Sequence, residues 1–230
     1  MHCNHSEQRR TARTRSYASL DDEAAMDRLL AWIAARTATT LNVADAARRL
    51  GVSRPTLTRY MKWLRAVFVV EAHPAWSHNT LGRAVRCPKI HLTDSGLTAA
   101  LLGASAASLT QPMSTSAGPV LETFVVGEIA RQASAHPMSP TLRHYRDRDG
   151  REVDLVLEWR DGSAVAVEIK ASQSPSPSAT AHLAWLRDRL DAASPGAFRA
   201  GVLLHTGQAH LKIGDRLFLA PIDSLWSSPR

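Results

Sequence analysis

The chain has 230 residues, 44% hydrophobic and 21% charged, proportions of a folded globular protein with room for two small domains. No apolar run is long enough to cross a bilayer and residues 1–15 lack the apolar stretch of a secretory signal, so no membrane association is expected. Cys3 and Cys87 are too few for a disulfide framework or a zinc cluster and predict a reducing, cytoplasmic compartment.

The charge is unevenly placed. Residues 1–115 hold 15 Lys and Arg against 8 Asp and Glu, while residues 116–230 hold 13 of each. The whole formal excess of +7 therefore lies in the first half, where a polyanion such as DNA would make contact. Residues 1–20 read as a basic arm, with Arg9, Arg10, Arg13 and Arg15 in no periodic order.

Residues 21–103 read as a helical domain closed by a hairpin. Leu29, Leu30, Ile33 and Ala34 form an apolar face at helical spacing, with Asp21 or Asp22 as its cap. A short helix over 43–50 stops at Gly51. Ser53 caps a helix over 54–66, which tolerates Pro55 in its first turn and buries Leu57, Tyr60 or Met61, and Leu64. Ala47 and Gly51 let these two helices cross as a helix-turn-helix. The second helix then exposes Arg54, Thr56, Thr58, Arg59, Lys62 and Arg65, side chains suited to phosphates and base edges. Arg59 and Lys62 are the leading contacts, with Arg54 and Arg65 beside them. Strands over 67–70 and 87–92, joined by a loop with Trp76 and Asn79, would add a wing, and Asp94 caps a last helix through Leu102. Residues 104–118 carry no charge and read as a linker.

The second domain, 119–230, reads helix, three strands, helix, strand. The helix over 121–131 has Leu121, Phe124, Val125 and Ile129 on one side. Strands fall at 142–145, 153–157 and 165–169, a helix at 179–190 and an inner strand at 200–204, while 217–219 would add an edge.

Asp154, Glu168 and Lys170 interrupt the apolar strands. Buried ionisable groups are costly unless paired or bound to a metal. Glu168 and Lys170 are two apart and share a face. A three-residue turn of Arg160, Asp161 and Gly162 would set Asp154 opposite Glu168, and two carboxylates that close call for a divalent cation. A two-residue turn would oppose Asp154 to Ile169 instead. The oxygen-rich set suits Mg²⁺, with Lys170 placed to hold an attacking water. The bland alternative is a Glu168–Lys170 surface ion pair.

This order of elements, with Asp154 followed by Glu168-Ile169-Lys170, resembles the PD-(D/E)XK nuclease superfamily. Val153 stands where the superfamily name has Pro. The resemblance implies that residues 119–230 form a restriction-endonuclease-like domain, so the chain reads as an α/β protein in which the winged helix-turn-helix precedes it. It implies a metal set of Asp154, Glu168 and a helical acid, Glu122 before Glu128. The runs Lys89-Ile90-His91-Leu92-Thr93-Asp94-Ser95-Gly96-Leu97 and Gly118-Pro119-Val120-Leu121-Glu122-Thr123-Phe124-Val125, with Glu128-Ile129 and Tyr145-Arg146, are similar to the C-terminal part of a family of prokaryotic AAA-type ATP-binding proteins. No glycine here is followed by Lys, so no phosphate loop exists and ATP binding is not expected. The resemblance implies a separate ATPase subunit as a partner. Two functions follow as expectations. One is Mg²⁺-dependent phosphodiester hydrolysis on DNA by Asp154, Glu168, Lys170 and Glu122. The other is a non-catalytic binding or regulatory module.

Overall fold

The computed structural model describes residues 23–76, 86–111 and 114–227. The basic arm, the Asp21 or Asp22 cap and Asn79 lie outside the described residues.

The fold is mixed α/β, with one antiparallel sheet and one mixed sheet. The first unit runs α1 (Glu23–Ala34), β1 (Thr39–Thr40), α2 (Val43–Leu50), α3 (Arg54–Ala66), β2 (Val70–His73), β3 (Lys89–Leu92) and α4 (Ser95–Leu101). The α2 and α3 helices have the bounds that their caps predict. Asn42 accepts from the Ala44 and Asp45 amides, Gly51 takes the left-handed conformation at φ 68°, and the Ser53 hydroxyl accepts from the Thr56 amide. Leu57, Tyr60, Met61 and Leu64 turn inward against Leu29 and Ile33 of α1, which forces the basic positions of α3 outward. The strands start later than the apolar pattern suggests. Phe68 has φ 59°, a turn conformation that holds residues 67–69 out of the ladder. Cys87 also precedes its strand. The sheet order is β1-β3-β2, all antiparallel.

Residues 104–118 are not a featureless connection. Ser105 and Ser108 cap each other's backbone to start α5 (Ala106–Leu109), and α6 (Ala117–Ala135) begins before the stretch ends. The second unit continues with β4 (Thr141–Arg146), β5 (Glu152–Glu158), β6 (Ala164–Lys170), α7 (Ala181–Ala193), β7 (Phe198–His205), β8 (Leu211–Gly214) and β9 (Leu217–Pro221). The sheet order is β4-β5-β6-β7-β9-β8. Residues 217–219 thus belong to an inner strand, because β8 pairs outside β9. The right-handed crossover rule for parallel neighbours applies to β6–α7–β7, which pair in parallel. Val125, Val126 and Ile129 of α6 pack on Leu155, Val167 and Ile169, and Leu183, Leu186 and Leu190 of α7 pack with Val156, Ala166 and Leu203. The sheet is therefore covered on both faces, which is why its central strands read as nearly continuous apolar runs. Among the described residues no helix is long and apolar enough to cross a membrane.

The two units are joined by Trp76. This residue follows β2, yet its side chain is fully buried in the core of the second unit beside Tyr145 and Leu183. The sequence places it in the wing loop between the two strands. Instead the chain after β2 forms a parallel bridge, Ala75 to His144, and the Trp76 amide donates to the His144 carbonyl at 2.7 Å. The indole N–H donates to Glu158 at 2.9 Å. Trp76→Phe keeps an aromatic ring but removes that donor and leaves part of the buried indole volume unfilled, so we expect a loss of about 1–3 kcal/mol in urea unfolding. A loss above about 3 kcal/mol would show that the indole shape matters more than its hydrogen bond.

Candidate functional site

The β5–β6 hairpin has the three-residue turn. Trp159 and Ser163 close it, Gly162 sits at φ 80°, and the ladder runs Glu158 to Ala164, Leu157 to Val165, Val156 to Ala166 and Leu155 to Val167. The regular pairing ends there. Along the other edge of β5, the register with β4 shifts between Arg143–Val156 and Tyr145–Val153. That shift sets two residues of β5, Asp154 and Leu155, against His144 of β4. Bulges of this kind redirect a side chain. The Asp154 carboxylate accordingly turns toward β6 and accepts the Ile169 amide on Oδ2 at 3.0 Å.

Its other oxygen, Oδ1, accepts from the Lys89 ammonium at 3.0 Å. Lys89 opens β3 of the first unit and its side chain is 1% exposed. The same Nζ lies 2.6 Å from Glu122 of α6 and 3.0 Å from Glu152 of β5. Three carboxylates of the second unit thus converge on one ammonium of the first. Glu168, also buried, pairs through Oε1 with Lys170 at 2.6 Å, and its Oε2 has no hydrogen-bond partner among the described residues. Glu152 is held from its other oxygen by Arg146 at 2.9 Å.

The electrostatics follow from burial and crowding. Burial, then the nearby Asp154 charge, pushes the Glu122 carboxyl up to about 8 in spite of Lys89. Burial and Asp154 likewise raise Glu168, against the pull of Lys170. Burial alone would lower the Lys89 ammonium, but Asp154, Glu122 and Glu152 outweigh it and hold Lys89 above its ordinary range. His91 of β3 is held well below its ordinary value by burial, then by His73 and Lys89. It reaches Thr123 through Nδ1 at 3.3 Å, and Thr123 also bonds Thr37 at 2.7 Å.

Sequence reasoning named Asp154, Glu168, Lys170 and Glu122, and the fold brings them into one neighbourhood. Glu128, the second choice, points away and pairs with Arg131, Gln132 and Trp226. Lys89 and Glu152 were missed as site residues. Lys89 lies in a strand whose four residues are all buried, and that burial is set by the fold rather than by any local sequence signal. The residues as arranged do not fit a divalent ion. Lys89 Nζ takes the point where the carboxylates meet, Asp154 Oδ2 is spent on an amide, and no group of three or more His, Cys, Asp and Glu among the described residues is disposed to hold a metal.

Arg54, Arg59, Lys62 and Arg65 are all exposed on α3, which has no acidic residue. Trp63 is 41% and Phe68 80% exposed beside them. The Arg59 guanidinium lies 5.6 Å from the Tyr60 ring centre. Arg48 and Arg49 on α2 differ, since both are engaged by Asp45.

Residues 117–225 match the model of a family described as a domain of unknown function (DUF4143), and residues 13–108 match that of another such family (DUF8612). The chain is 28% identical over 182 residues to an uncharacterized protein of Mycobacterium tuberculosis and, equally, to one of Mycobacterium bovis. The aligned stretch is 79% of this chain and 38% of each relative, so the chain spans well under half the length of the curated relatives it matches. No solved structure matches.

Proposed function

We propose that the protein binds DNA through its first unit, read as a winged helix-turn-helix, and that its second unit is a restriction-endonuclease-like domain. The observation that carries the binding reading is α3, a capped helix whose four cations face solvent with no acid on the same helix. A cation surface of that kind neutralises phosphates and releases their counterions, and exposed aromatics such as Trp63 add stacking or apolar contact. The order β4-β5-β6 with Asp154, Glu168 and Lys170 near one another supports the nuclease-like reading of the second unit.

A second reading is phosphodiester hydrolysis. It draws on the approach of Glu122 to Asp154, and its residues would be Asp154, Glu168, Lys170 and Glu122. The ammonium at the centre of the cluster favours the non-catalytic alternative in this arrangement. The family matched by residues 117–225 is known in proteins associated with AAA-type ATPases, and an ATPase subunit acting with this chain is part of the same proposal.

The binding reading is tested by fluorescence anisotropy of a labelled duplex over a range of salt. It predicts linear loss of log affinity with log salt. Binding that ignores salt, or none at low salt, would refute it.

A further inference from the structure

Building on the DNA-binding reading, we infer that the C-terminal end of α3 is a stacking platform for unpaired bases. Phe68 and Trp63 are its rings, and the first unit accordingly prefers DNA carrying single-stranded nucleotides over an intact duplex.

Phe68 follows α3 at φ 59°, the left-handed region that glycine occupies freely and a bulky side chain rarely does. Its amide donates to the Arg65 carbonyl and the Val69 amide donates to the Leu64 carbonyl. That pair of bonds closes a helix C-terminus, and glycine is the usual residue at the position Phe68 holds. The Thr93 hydroxyl donates to the Phe68 carbonyl at 2.6 Å and fixes the turn from its other side. Packing of the ring would ordinarily offset the strain. Here the ring packs on little, because Phe68 is 80% exposed. Backbone strain that no packing offsets points to a side chain serving a contact outside the fold.

The surroundings give the chemistry of that contact. Trp63 and Val67, 41% and 46% exposed, lie one helical turn apart and extend the apolar surface. Arg59 stands one turn before Trp63, Arg65 stands three residues before Phe68, Lys62 adjoins Trp63, and α3 has no acidic residue. Cations interleaved with exposed rings match a single strand, whose phosphates meet the cations and whose bases offer bare faces to the rings. A paired base hides both faces in the stack, and a phenyl ring has no donor or acceptor with which to read polar base edges in a groove. The Phe68 backbone is already pinned on both sides, so little of it has to be ordered when a base stacks.

Fluorescence anisotropy of the full chain with two labelled DNAs tests this, one a blunt duplex and the other the same duplex with an unpaired thymidine tail. At one low salt concentration, wild type should bind the tailed DNA at least about fivefold more tightly, the lower range for stacking one base on a ring. Phe68→Gly and Trp63→Ala should each reduce that ratio, and Phe68→Tyr, which keeps a ring, should retain it. Without DNA, Phe68→Gly should melt at or slightly above the wild-type temperature, since glycine takes the left-handed conformation without strain. Equal affinity of wild type for the two DNAs would overturn the inference and leave the DNA-binding reading standing. No binding of either DNA would sink that reading and the inference together. Full preference in both Phe68→Gly and Trp63→Ala would overturn the inference. So would a clearly lower melting temperature of Phe68→Gly, because the ring would then serve the fold. A dimer seen by sedimentation without DNA, and dissolved by Phe68→Gly, would give the patch to a second copy and overturn it too.

Discussion

Lys89→Ala is expected to destabilise the chain by about 3–5 kcal/mol, the usual cost of removing one partner from a buried ion pair. The reason lies less in the attraction lost than in the acids left behind. Glu122, Glu152 and Asp154 would face one another without the ammonium that each of them meets at 3.0 Å or less. Asp154 is buried and Glu122 is largely so, and neither can regain full hydration without opening the boundary between units. The size of the loss is comparable to the whole stability of many domains, so the variant should unfold at far lower urea concentration. Adding Asp154→Asn should recover part of the loss, since it removes one uncompensated charge. The measurement is the urea midpoint of the single and double variants. A Lys89→Ala loss under about 1 kcal/mol would mean that water enters the cluster, and the ammonium would then be a surface partner rather than a buried one.

Arg59→Glu with Lys62→Glu should abolish most DNA affinity at low salt. Hydrogen bonds to charged groups contribute about 1.5–3 kcal/mol each, so losing two is worth about a hundredfold or more, and reversal adds repulsion. The log–log salt slope should fall by about two units, one for each phosphate contact removed. Fold is a smaller concern here. Both side chains are exposed, and neither belongs to the inward face of Leu57, Tyr60, Met61 and Leu64. Reversal of Arg48 and Arg49 is the control, because Asp45 already engages both. If the control weakens binding as much as the α3 pair, net charge rather than this helix drives association.

Local structure was legible wherever a few neighbouring residues decide it. The α3 bounds followed from Ser53, Pro55 and the spacing of its apolar residues. The hairpin turn followed from Gly162, which supplies the left-handed conformation that a three-residue loop requires. Glu122 was preferred over Glu128 on resemblance alone, and the fold places Glu122 at the Lys89 ammonium and Glu128 on the outer side with Arg131. The bulge at Asp154 was not legible, since nothing in the Glu152–Glu158 run marks where β4 slips by one residue. Trp76 was misplaced for a related reason. Its neighbours suggest a wing loop, and only the apolar core of the second unit explains its burial.

The amino-acid sequence by itself determined the main helices and strands of both units, though not β1, α5 or β8, together with the basic face of α3 and the acids of β5 and β6. Caps, turns and hydrophobic spacing act within a few residues, and they are written in the chain directly. Tertiary structure alone decided what the acids meet. Lys89 and Asp154 are 65 positions apart and belong to different units, so no local rule could pair them. Burial sets the strength of that pairing, because the Lys89 side chain, 1% exposed, is shielded from the solvent that would otherwise weaken its attraction to the acids.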